Sequence, residues 1–317
     1  MFRHGSNPAR LGVYCFPKRT PMADGPARHP LLKWFLSDGR HFQIAFLLSF
    51  LCYGISALQW DAELGRYAIL AATCLATQGL FVLVHGLEWR TLKSAAVTTL
   101  GLCLLFKSGS PITLVLGGFV AIASKFVLRV RGKHVFNPAN VGIVAAMLLT
   151  GDAWVSPGQW GSGAALVFLV GAAGLMVVLR VGRIDTSIAF LLAYAALQFV
   201  RNVLYLGWGV DVWLHQLTNG SLLLFTFFMI TDPVTTPGAV RARVGWSILV
   251  AFVAFVLSWK FLVNAAPVWA LFFISATTPI VDLLWKSERF NWLAAPKVQT
   301  VPHQRAAFNR QPSTNNP

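Results

Sequence analysis

Ten apolar runs of helix length follow one another along this chain, at about 42–60, 67–87, 94–106, 111–128, 137–150, 163–180, 185–206, 220–231, 244–262 and 267–285. A helix needs about 20 apolar residues to cross the hydrocarbon core of a bilayer, and fewer where it breaks or re-enters. Composition agrees, since 56% of the residues are hydrophobic and 12% charged, against about 45–50% and 25% in a soluble domain. The expected fold is therefore an all-α polytopic membrane protein with about ten transmembrane helices. The third, fifth and eighth runs have the length of half-helices, which hydrocarbon tolerates only where protein or a polar cavity covers the free backbone.

Charge orients the bundle, because cytoplasmic loops are enriched in Lys and Arg. One set of loop ends carries Lys33 and Arg40, Arg90 and Lys93, Arg129, Arg131 and Lys133, Arg180 and Arg183, Arg241 and Arg243, then Lys286 and Arg289. The other set keeps Arg66, Lys107, Arg201 and Lys260 beside the acids Asp61, Glu63, Asp152 and Asp211. Both termini are thus expected in the cytoplasm. The net charge of +15 is spread as short clusters at the ends of runs, which argues against nucleic-acid binding. The division that follows is a basic cytoplasmic tail over 1–40, a transmembrane domain over 41–286 and a disordered cytoplasmic tail over 287–317. Residues before Met22 are irregular, and Met22 is read as an alternative start.

Metal chemistry has little footing. Cys15, Cys52, Cys74 and Cys103 show no close pairing of the kind that holds zinc or an iron–sulfur cluster, and the seven His residues form no ligand array.

Two polar constellations stand at the ends of short runs. In "RGKHVFNPANVG", Pro138 suits the first turn of a helix, Asn137 its N-cap, and Asn140 lies one turn on. With Lys133 and His134 before it, this helix start is either a capped end with interfacial charges or a site for a phosphate or an electron-rich ring. In "FFMITDPVTTPG", an aromatic run stops in Thr231, Asp232, Thr235 and Thr236. A carboxylate so near a bilayer needs a partner or a task, unless Asp232 is a cap or a solvated acid. The charge pattern puts both constellations on one side. Five plus five spans make halves that begin on opposite faces, an inverted repeat in which the third and eighth runs correspond as broken helices.

"GKHVFNPANVG" and "FFMITDPVTTP", with the spans between them, resemble the NqrB/RnfD family, whose members are membrane subunits of the sodium-pumping NADH:quinone reductase and of the Rnf electron-transport complex. The resemblance implies a ten-helix, inverted-repeat subunit in a bacterial cytoplasmic membrane, working with other membrane and redox subunits in ion-coupled electron transfer. It also implies flavin, esterified to a Thr in a pattern close to S-G-A-T. Here Ser162, Gly163, Ala164 and Ala165 end that pattern in a methyl group, on which no phosphoester can form, so covalent FMN is not expected.

The remaining expectation is a pocket for a non-covalent flavin (riboflavin or FMN) or a quinone, lined by Lys133, His134, Asn137 and Asn140 from one half and Thr231, Asp232, Thr235 and Thr236 from the other. Asp232 and Asp282 are the candidate ion-path residues. Lys125 is expected to snorkel, Arg201 to pair with Asp211 or grip an anion, and Asp185 to neutralise Arg183 or cap its helix. A non-redox permease or channel on the same scaffold remains an alternative, as does a membrane protein accompanying a biosynthetic pathway, since the chain also resembles the membrane protein called U of enediyne gene clusters.

Overall fold

A computed structural model describes residues 38–155, 164–287 and 290. Each of the ten apolar runs carries a helix. In chain order these are α1 (Gly39–Ala57), α2 (Leu64–His85), α3 (Leu92–Leu105), α4 (Pro111–Val127), α5 (Pro138–Thr150), α6 (Ala164–Val181) and α7 (Ile184–Phe199, continued as a π-helix over Val200–Tyr205). Then follow α8 (Val210–Leu217), α9 (Gly220–Leu224, continued as a π-helix over Phe225–Met229), α10 (Val240–Lys260), α11 (Ala266–Ser275) and α12 (Thr278–Leu284). The short α8 was not foreseen; it sits in the loop before α9.

Among the described residues, α2, the continuous Ile184–Tyr205 helix and α10 are long and apolar enough to cross a membrane by themselves. Helices α11 and α12 make a fourth crossing if taken together across their 49° bend. The helices over Pro111–Val127, Pro138–Thr150 and Gly220–Met229 are apolar but shorter. The fifth and eighth runs are thus short, as their sequences foretold, and the third forms the 14-residue α3.

Local sequence explains the breaks. Helix α3 stops at Phe106, whose extended backbone opens strand β1 (Phe106–Ser108); this strand pairs antiparallel with β4 (Ala153–Val155) just past α5. Ser110 then caps α4, with Pro111 in the first turn, where no amide is needed. Strands β2 (Arg129–Val130) and β3 (Lys133–His134) form a hairpin between α4 and α5. Its two-residue turn puts Arg131 at φ 54° and Gly132 at φ 77°, the left-handed pair that such tight hairpins require.

Packing is pairwise. Helices α4 and α5 make the closest approach, with a Cβ at Gly142 falling 2.5 Å from the Gly117 carbonyl oxygen. Small residues at a helix crossing let backbones meet where hydrocarbon supplies no hydrophobic drive. Further extensive pairs are α2 with α4, α2 with α3, α1 with α3, α7 with α10, α10 with α11, and α6 with the α9 helix and its π continuation. The buried core runs through all of them, with Phe50, Phe106, Phe190 and Phe225 at its centre. Cys52, Cys74 and Cys103 are free thiols.

Candidate functional site

The site grows from two chain breaks that face each other. Asn137 caps α5 as expected: its side-chain oxygen accepts from Asn140 N–H at 3.1 Å. Its amide nitrogen donates to the Met229 carbonyl at 3.2 Å, which ties the start of α5 to the end of α9. The π-helix there matters, because one extra residue per turn redirects the side chains that follow and leaves Ile230 N–H bonding back to Phe225 at 3.0 Å. Thr231 closes the turn on the Phe227 carbonyl. Asp232 begins a tight loop in which its carboxylate accepts from Val234 N–H at 3.0 Å and its carbonyl accepts from Thr235 and Thr236.

Between these breaks lies a cavity of about 340 Å³. His134, Asn137 and Asp232 line it, together with Gln43 from α1, Gln78 from α2, Ser94 from α3 and Lys125 from α4. Leu47, Val97, Leu104, Leu105, Phe126 and Phe228 form apolar walls. Gln78 is 2% exposed, donates to Thr91, and has a buried Oε1 with no partner.

A second cavity of about 250 Å³ adjoins the first, since His134 and Val234 line both. Lys133 and Asp282 belong to this second space and not to the first. Lys133 Nζ lies 2.6 Å from the Asp282 carboxylate and donates to the Thr236 carbonyl at 2.5 Å. The eight residues expected to share one pocket therefore separate. His134 lines both spaces, whereas Lys133 lines the second alone. Asn140, Thr231, Thr235 and Thr236 line neither space; Asn140 donates to the Val268 carbonyl at 2.8 Å and holds α5 to α11.

Three other expectations need correction. Lys125 does not snorkel: it is 4% exposed and donates to the Ser94 carbonyl and hydroxyl at 3.1 and 3.3 Å. Arg201 donates to its neighbour Asn202 at 2.9 Å, and no ion pair with Asp211 occurs among the described residues. Asp185 pairs at 2.6 Å with Arg243 of α10, not with Arg183. Lys125, Gln43 and Gln78 are the site residues that sequence reasoning missed. A lone polar residue in an apolar run was their only signal.

Electrostatics in the loops is asymmetric. Burial, then the positive charges of Arg129 and Lys125, pushes the His134 imidazole down to about 4. Burial raises the Asp232 carboxyl, against the Val234 amide and the charges of Lys125, Lys133 and Arg183. A histidine whose folded value is depressed contributes stability that is complete above its unfolded value, about 6.5, and is lost as pH falls toward the folded one. A raised carboxyl has the opposite sign and contributes most at low pH. His134→Gln is therefore expected to lose less melting temperature than the parent between about pH 7 and about pH 5. Parallel melting curves for the two proteins would refute a neutral His134.

The sequence comparisons meet this geometry at one of its two halves. The model of the NQR2, RnfD, RnfE family matches residues 146–291. Over that stretch, just under half of its length, the chain is similar to the family. The family match contains Asp232 and Asp282 and stops short of Lys133 and Asn137. One ion-translocating oxidoreductase complex subunit, from Stutzerimonas stutzeri, is 29% identical over 162 residues, 47% of this chain and 44% of the relative. The chain thus spans less than half the length of that curated relative. Its several apolar helices, together with the similarity to the NQR2, RnfD, RnfE family, mark it as a multi-pass membrane protein. Ser162 and Gly163 of the degenerate S-G-A-T pattern lie outside the described residues, as do the side chains of Ala164 and Ala165, whose backbone begins α6.

Proposed function

We propose that this protein is a membrane subunit of an Rnf/Nqr-type ion-translocating electron-transport complex, and that the cavity between α5 and α9 holds a flavin or quinone ring without a covalent bond. The observation that carries this reading is the cavity itself: a space of about 340 Å³ lined by apolar side chains together with a few donors and acceptors. Lys125 and Asn137 supply donors, and the unpartnered Gln78 Oε1 supplies a buried acceptor that an N–H or O–H of a bound ring would satisfy. Such a ring would bring the electron chemistry. The protein's part is to hold it, exclude water and bias its charge, and Lys125 stabilises added negative charge on whatever lies beside it. Asp232 lines the cavity with no cation in ion-pair range among the described residues, so its carboxyl is the group we assign to taking up a proton or an ion.

A ten-span inverted repeat is part of the same proposal. In its support, the pairs α2–α4, α4–α5 and α1–α3 of the first half have counterparts in α7–α10, α10–α11 and α6–α9 of the second. The cavities follow the same exchange. The first is bounded by the starts of α3 and α5 and the end of α4; a third, of about 790 Å³, is bounded by the starts of α9 and α11 and the end of α10. The positive loops support a reading in which the first cavity opens to the cytoplasmic side of a bacterial inner membrane. Covalent FMN is not part of the proposal, because Ala165 has no oxygen to esterify.

The test is cofactor content of the detergent-purified protein, measured by flavin absorbance and fluorescence before and after acid precipitation, with quinone extracted into organic solvent. About one flavin per chain released by acid, or an extractable quinone at that ratio, supports the reading. Flavin that stays on the precipitated peptide contradicts the argument from Ala165. A folded protein with neither cofactor sinks the proposal and leaves the permease or biosynthetic alternatives.

A further inference from the structure

Among its described lining residues, the second cavity holds more positive than negative charge. Arg131 and Lys133 reach it from the β2–β3 hairpin, Arg183 from the turn between α6 and α7, and Asp282 from α12 is the single acid among its described lining residues. Asp282 is already engaged, accepting from Lys133 at 2.6 Å and from Gly238 N–H at 2.9 Å. The carboxylate nearest Arg183 in sequence, Asp185, is held by Arg243. Arg183 is 8% exposed, donates one bond of 3.3 Å to the Pro233 carbonyl, and faces the Phe290 ring at 5.5 Å, while its Nε has no partner among the described residues. Burial, and then the like charge of Arg243, lowers Arg183 to about 10, so it remains a cation at neutral pH. A second residue with a buried donor lines the same space: Thr278 is 1% exposed and its hydroxyl has no partner among the described residues.

Buried polar atoms without partners are rare in native structures. Two of them in one cavity, beside two further cations, describe a site missing its ligand, and three positive side chains against one engaged carboxylate make that ligand an anion. A compact oxyanion with several acceptors suits donors that come from three separate segments, and a guanidinium with a free Nε suits phosphate geometry.

We propose that Arg183, Thr278, Lys133 and Arg131 form a phosphate-binding site, filled either by free phosphate or by the headgroup phosphate of an anionic lipid. It is independent of the ring cavity, and an outcome here leaves the cofactor reading untouched. A bound anion would join the β2–β3 hairpin to the α6–α7 turn and to α12, bracing the loops that flank Asp232.

The experiment uses the full chain, delipidated in detergent and exchanged into phosphate-free buffer, with thermal unfolding followed as inorganic phosphate is added against chloride of equal ionic strength. Phosphate is expected to raise the melting temperature by about 3 °C or more near saturation, with chloride inert. Thr278→Val removes a hydroxyl that has no partner, so it should melt no lower than the parent without phosphate, yet lose most of the rise. Arg183→Gln should weaken the phosphate response at least tenfold. Repeating the titration in phosphatidylcholine discs with and without phosphatidylglycerol separates the sources. A response lost only with phosphatidylglycerol identifies a headgroup, and one kept in both identifies free phosphate. No phosphate-dependent rise in detergent, or an equal rise in both variants, overturns the site.

Discussion

Gly142→Leu is expected to leave little folded protein. At this position a Cβ would lie 2.5 Å from the Gly117 carbonyl oxygen and 2.7 Å from the Ala121 Cβ, and a Cβ at Gly117 would meet the Phe106 ring at 2.6 Å. The obstacles at Gly142 are backbone and a methyl on a helix, neither of which can rotate away. Overpacking a core costs about 1–3 kcal/mol where side chains can yield; against backbone the figure should reach or exceed about 3 kcal/mol. Alanine should fall between glycine and leucine. The effect would spread to the site, because α4 carries Lys125 and the first turn of α5 carries Asn137, and both line the ring cavity. Membrane-extracted yield, elution profile and melting temperature measure the outcome. A leucine variant that elutes and melts like the parent would show that α4 and α5 do not meet at their glycines.

The contrast between Gly142 and Lys125 shows which features a sequence displays. Helices were legible because an apolar run in lipid has little choice of structure, and the α5 cap was legible because Asn137 and Pro138 act on amides three residues away. Direction was not legible. A lysine near the end of a span reads alike whether it reaches the interface or turns inward, and here the choice depends on the Ser94 carbonyl and hydroxyl, 31 residues earlier in the chain. The same limit split the expected pocket, since Lys133 turns to the Asp282 carboxylate, 149 residues later in the chain, and not into the ring cavity. Asp185 was assigned to the arginine two residues before it, whereas packing brings it Arg243, 58 residues away. The π-turn over Phe225–Met229 leaves no mark in composition, yet it aims the chain that carries Asp232. Charge balance was misleading for a related reason: Arg183 looks like one more loop cation until its neighbours are known to be engaged elsewhere.

Lys125→Met should separate fold from function more cleanly than any other substitution. The ammonium is buried, makes its bonds only to Ser94, and has no carboxylate within ion-pair distance among the described residues. A cation kept in that state costs stability, and methionine fills nearly the same volume without charge. The variant is therefore expected to fold with an unchanged or higher melting temperature. Ligand binding should move the other way. A charged donor to a ring acceptor contributes about 1.5–3 kcal/mol, which is about tenfold to more than a hundredfold in affinity. Titration of riboflavin, or of a short-chain quinone, into the cofactor-free protein by fluorescence quenching reads that loss directly, with Lys125→Arg expected to retain part of the affinity. Higher stability with weaker binding is the pattern of a residue held for its ligand against the interest of the fold. Weaker stability with unchanged affinity would make Lys125 a structural tie between α3 and α4, and the ring cavity would lose its principal donor.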